Sequence, residues 1–198
     1  VAVGAFALDA NTTGNTNTAL GYVALSSNAT GVSNTAVGRA ALFANTGSNN
    51  TGIGKEALKL NTTASNNTAV GTSALLVNTT GTGQVAVGSE ALISNTTGTI
   101  NTAVGHNALH DNTTGDGNVA LGRNTLFNNE TADHNVAVGY DAVFYNTTGA
   151  DNIGIGHEAL YNNTTANDNV AVGKQALKSN TTGHSQTALG SHSLDATT

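Results

Sequence analysis

The chain has 198 residues, of which 9% are charged and 4% aromatic, against roughly 25% charged in an ordinary globular domain. A net charge of -6 with only six Lys and Arg excludes the basic stripe that grips a phosphate backbone, so no nucleic-acid partner is expected. No apolar run nears the roughly 18 residues of a membrane span, so no membrane insertion by this segment is expected, and without Cys the fold uses neither disulfides nor thiolate metal sites.

Glycine punctuates the whole chain, at Gly4, Gly21, Gly38, Gly54, Gly71, Gly88, Gly105, Gly122, Gly139, Gly156, Gly173 and Gly190. The spacing is 17 throughout, apart from one step of 16 between Gly38 and Gly54. Repetition at one period decides the architecture before local propensity does. Counted from its leading amide, the unit "NTAVGTSALLVNTTGTG" (Asn67 to Gly83) fills positions one to seventeen. Position five is Gly in all twelve units, which requires a positive φ or the absence of a Cβ. Position fifteen is Gly in eight units and Ala in three, at Ala64, Ala132 and Ala166, so there Gly is only preferred.

Within each unit the breakers leave at most about eight residues between them, too few for a stable helix. Two short strands are expected instead. Positions two to four ("TAV", "VAV", "IGI") form the first, with β-branched residues at two and four on one face and a small residue on the other. Positions eight to ten ("ALL", "ALF", "ALY") form the second; Gly at five and the "NTTG" segment make the turns between them. Position nine supplies the core column: Leu8, Leu25, Leu42, Leu58, Leu75, Leu92, Leu109, Leu126, Val143, Leu160, Leu177 and Leu194.

One such unit buries too little to fold, but stacked units share a continuous core. The expected fold is all-β, a parallel β-solenoid of about twelve 17-residue coils spanning residues 1–198 as a single array. With strands about 4.8 Å apart, the rod would be on the order of 55 Å long. Position one is an amide in all eleven units that show it, Asn in nine and Gln at Gln84 and Gln186, as an amide ladder requires. Small Ala at positions three and eight, opposite the Val and Leu columns, leaves a face that wants cover, so self-association as a homotrimer or filament is expected. The chain opens at Val1 within a unit and without Met, which suggests a segment of a longer fibrous protein.

Position twelve is Asn in all eleven units that show it. Ten of these, Asn11, Asn28, Asn61, Asn78, Asn95, Asn112, Asn129, Asn146, Asn163 and Asn180, are followed two residues on by Thr with no intervening Pro, the acceptor pattern for N-linked glycans. The exception, Asn45, lies in the 16-residue unit, where one Thr is missing. Two readings stay open: covalent glycans along the rod, or Asn chosen for a tight turn and for bonding to its own kind from coil to coil.

The search for chemistry yields little. His106 and His110 have the i, i+4 spacing of a helical zinc site, yet no helix is expected there. Asp116, Asp133, Asp151 and Asp168 follow a calcium ladder only loosely. No triad or phosphate loop recurs, so neither a cofactor nor an enzymatic activity is expected.

The segments "NTAVG" (from Asn34, Asn67 and Asn101), "NVAVG" (from Asn135 and Asn169) and "NIGIG" (from Asn152) resemble the head repeats of trimeric autotransporter adhesins. Across nearly the whole chain the unit also resembles the repeat arrays of bacterial and phage tail-fibre-domain proteins. The resemblance implies a left-handed parallel β-roll, trimeric, extracellular and used for attachment to a host or surface receptor. The adhesin unit is shorter, so the second turn is longer here. The expected role is a structural or adhesive extracellular fibre segment, on a cell surface or a virion, with a phage-like tail-fibre shaft as the near alternative. An ice-binding β-solenoid is the third reading; it needs a regular Thr face, and position two mixes Thr with Val and Ile.

Overall fold

A computed structural model describes residues 1–195. Among them lie twelve strands in one parallel sheet, one per coil and in chain order, from β1 (Ala2–Val3) and β2 (Thr18–Leu20) to β12 (Thr187–Leu189). The register steps by whole units: Thr68, Val85 and Thr102 stand in one column, Ala69, Ala86 and Ala103 in the next, Val70, Val87 and Val104 in the third. The short unit costs no register, because Thr35 still faces Thr51 and Val37 faces Ile53. The protein is a β-solenoid, as the period demands.

The expected second strand at positions eight to ten is not a strand. It lies in a run of turns in which residues of positive φ alternate with the others, at position seven (Glu90, φ 60°; Asn107, φ 56°) and position nine (Leu92 and Leu109, φ 52°). Coils nonetheless stay bonded there. The amide of Leu75 donates to Ala91 O at 2.9 Å, Leu92 to Ala108 O at 3.0 Å, and Leu109 to Thr125 O at 2.9 Å. Alternating the sign of φ bends the chain round tightly while its amides still point along the rod. A left-handed Leu costs roughly 1–2 kcal/mol. Complete burial of its side chain returns about 1.5–3 kcal/mol, which offsets that cost.

Inside and outside also differ from the pattern expected of two alternating strands. Ala at three, Ala at eight and Leu at nine all point into the core, and from coil two to coil eleven nearly all are fully buried. Consecutive positions eight and nine share the interior because a turning chain does not alternate faces. The Leu fills the cross-section, so its partners across the coil can only be small. The residues of positions two and four are left on the outer face of the sheet, where Val104 and Leu121 are each 37% exposed. The small-residue face, expected to need cover from another chain, is the core of this one.

Position five shows why its Gly does not vary. These residues hold φ between 120° and 141°, outside the range of an L side chain, and a Cβ on Gly139 would lie 2.7 Å from the carbonyl oxygen of Gly156 one coil on. Gly139→Ala should therefore cost at least about 3 kcal/mol, a loss of the class reserved for forbidden backbone, measurable as a shift in the urea midpoint.

Position three is Ala except at Gly52 and Gly154. A Cβ on Gly154 would overlap Cγ2 of Val143, the one non-Leu residue of the core column. The branched Val and the missing methyl compensate each other. Gly154→Ala should destabilise by about 1–3 kcal/mol, as overpacking does, and adding Val143→Leu should recover most of it. A double-mutant cycle in chemical denaturation reads the coupling.

Candidate functional site

Two buried amide columns flank the apolar core and set what the rod shows to solvent. At position twelve each Asn donates through Nδ2 to the carbonyl three residues on and to Oδ1 of the Asn one coil before. Asn112 thus reaches Gly115 O at 3.2 Å and Asn95 Oδ1 at 2.9 Å. At position one the amide closes the coil. Asn67 Nδ2 donates to Gly81 O at 2.9 Å, while its Oδ1 accepts the main-chain N–H of Gln84 at 2.9 Å. Gly81 O takes a second bond, from Asn78 Nδ2, also at 2.9 Å. The side-chain amide ladder expected at position one runs instead along position twelve. Position one bonds mainly from side chain to main chain across coils, which Gln performs as well as Asn. Where the short unit drops a residue the ladder skips a rung: Asn45 Nδ2 bonds only Gly47 O, and the buried Oδ1 of Asn28 has no partner.

This geometry gives the sequon asparagines a structural role that needs no sugar. Asn28, Asn61, Asn78, Asn95, Asn112, Asn129, Asn146, Asn163 and Asn180 are fully buried, with Nδ2 already donating, so a glycan there would require the coil to open. Asn11, in the first coil, is exposed, and its Nδ2 still donates to Gly14 O at 2.9 Å. The turn-and-ladder reading accounts for the invariance.

The other candidates scatter. Among the described residues no three His, Cys, Asp or Glu converge as metal ligands. His106 and His110 project from different columns, and His110 Nδ1 lies 2.6 Å from Asp111 Oδ1. Asp116 and Asp133 bond neighbouring coils: Asp116 Oδ1 accepts from Thr99 Oγ1 at 2.9 Å, and Asp133 Oδ1 from the Asp116 amide at 2.7 Å. Such bonds tie one carboxylate oxygen of each to the adjoining coil.

Column ten carries a stack of rings. His110, Phe127, Phe144 and Tyr161 stack with centroids 4.6, 5.2 and 5.4 Å apart, and Lys178 Nζ caps the last ring at 5.6 Å. Four large rings at 17-residue spacing were the available signal. Burial, then the hydrogen bond to Tyr145 and the charges of Asp141 and Glu158, push the Tyr161 hydroxyl up to about 12, so it stays neutral. Hydrogen bonds from Gln175 Nε2 and Lys178 Nζ, both at 2.6 Å, hold the Glu158 carboxyl below its ordinary range. That contribution is present above the unfolded value and fades as pH falls through the folded one.

The outer face of the sheet forms one continuous surface. Column two mixes Thr, Val and Ile; column four is Val, Leu or Ile throughout, half-exposed over the length of the rod. No family model matches the chain, nor does any curated protein or solved structure. The likeness to adhesin heads and tail-fibre arrays therefore rests on the motif residues alone.

The amide column yields a pH-dependent prediction. In Asn112→Asp the carboxyl would face two acceptors, Gly115 O and Asn95 Oδ1, so the fold would favour the protonated acid and raise its pKa. Stability near wild type is expected at pH 3, below the unfolded value of about 3.9, with progressive loss as pH rises toward the raised folded value. Urea midpoints at pH 3 and pH 7 compare the two; equal losses at both would reject the ladder's role.

Proposed function

We propose that the chain is a stiff, non-enzymatic rod segment of an extracellular fibre, structural or adhesive, that associates with further copies of itself as a trimer or filament. The observation that carries this reading is the outer face of the sheet. An unbroken double column of Thr, Val, Ile and Leu runs the length of a straight-registered solenoid, with no charged side chain in either column. Monomeric proteins rarely leave so long an apolar strip uncovered. Sheets that meet face to face through such columns pack about 10 Å apart. The motif resemblance favours the adhesin and tail-fibre roles, and with them a surface receptor, but distinguishes neither.

Val104→Lys combined with Leu121→Lys should convert the assembly to monomers in sedimentation experiments, while the thermal unfolding of the coil itself changes little because both side chains already face outward. A wild-type protein that sediments as a monomer at high concentration would reject the self-associating rod.

A second reading has one observation in its favour. The Thr and Val of columns two and four do occupy one regular face, with Thr68 and Thr102 on it alongside Val70, Val87 and Val104, which is the kind of array an ice-binding surface needs. Strong thermal hysteresis in solution would place this reading ahead of the fibre.

A further inference from the structure

Position fourteen, the second Thr of "NTTG", is Thr in all ten units that contain it: Thr13, Thr30 and every seventeenth residue from Thr63 to Thr182. Every one is exposed, and none of their hydroxyls makes a hydrogen bond. Its neighbour at position thirteen is the reverse case. There the Thr hydroxyl bonds the next coil, as Thr79 Oγ1 does to Thr96 O at 3.0 Å and Thr96 Oγ1 to Thr113 O at 3.0 Å. Yet position thirteen accepts Ala29 and Glu130. Stability alone would hold the bonded hydroxyl and release the idle one; this chain does the opposite.

Backbone preference does not explain the invariance either. If a β-branched side chain were all that the turn needed, Val or Ile would appear, as they do among the Thr residues of column two. They never appear at fourteen. If only a polar turn residue were needed, Ser, Asn and Asp would serve. What the ten units keep is a secondary hydroxyl in water, one per coil, about 4.8 Å apart along one edge of the rod.

We infer that the position-fourteen threonines are sites of O-linked glycosylation, and that the residue modified within each N-x-T triplet is the exposed Thr rather than the buried Asn. A separate transferase would supply the chemistry with a nucleotide-activated sugar as donor. Thr Oγ1 attacks the anomeric carbon and forms the glycosidic C–O bond. The anomeric C–O bond to phosphate breaks, the nucleoside diphosphate leaves with the electron pair, and the hydroxyl proton passes to a base of the transferase. In the folded rod all ten acceptors lie on one line open to solvent, so modification needs no unfolding. The missing Thr of the 16-residue unit leaves one gap in that line. This inference is independent of the fibre reading, because a decorated rod need not self-associate and a bare one still can.

The test is site-resolved mass spectrometry, with electron-transfer fragmentation, on protein isolated from its own source. Sugar mass on position-fourteen threonines such as Thr80, Thr97 and Thr114, released by alkaline β-elimination, with the position-twelve asparagines bare, is the expected result. A bare polypeptide mass, or sugar spread equally over position thirteen, would overturn it. Thr97→Val made in the same source should lose one site's sugar with the melting temperature of the deglycosylated rod unchanged, whereas Thr96→Val should lose none. A fall of several degrees in deglycosylated Thr97→Val would assign the residue a structural role instead.

Discussion

Every coil of this protein has to offer its neighbours on both sides a surface that fits the coil's own. That constraint accounts for the sequence residue by residue. The main chain bonds along the rod axis in the strand and equally in the turns, and side chains stand over like side chains in unbroken columns. A column of Gly at position five exists because two backbones approach there closer than a methyl group allows. A column of Leu exists because one large apolar side chain per coil fills a cross-section that Ala at three and eight then completes. The cost is backbone strain at positions seven, nine and seventeen, where ordinary residues hold φ near +55°. It is distributed evenly, one turn per storey, and offset by burial in the same storey.

A core this narrow needs polar walls, since the chain must turn where no apolar side chain could satisfy the main chain. The two asparagine columns supply them. Along most of the rod an amide spends its donor on a turn carbonyl and its acceptor on the next coil, so the polar groups that a tight turn buries are satisfied by repetition itself. The short unit shows how local this arrangement is: one deleted residue strands the Oδ1 of Asn28, and the ladder resumes at Asn61, whose Nδ2 reaches Asn45 Oδ1 at 2.6 Å. Outside the walls the columns are free to differ. Aromatic rings collect in four successive coils at position ten, while ion pairs such as Arg39–Glu56 at 3.1 Å bridge coils at the surface and add little.

The same separation of buried from exposed columns fixes which side chains are open to a partner. Whatever this rod meets, it meets through residues the core does not use: the Thr, Val and Leu columns of the outer sheet face, and the threonine edge at position fourteen. The first is apolar and continuous, suited to another sheet. The second is a line of idle hydroxyls, suited to chemistry done upon it.

The period alone determined the stacking: Leu75, Leu92 and Leu109 could be placed in one column, Gly71 and Gly88 in another, and parallel in-register strands at positions two to four, because identical units can only satisfy one another by repeating one contact. Which way each side chain points was settled by the tertiary structure. Leu109 at φ 52° is a conformation no isolated Leu prefers, and it exists only because the neighbouring coil bonds its amide and buries its side chain. That reversal ended the second strand, drew the Ala columns inward and turned the Val column out. The asparagines and threonines of "NTT" divide for the same reason: the sequence writes them side by side, and only the closed coil puts the amide in the wall and the second hydroxyl in water.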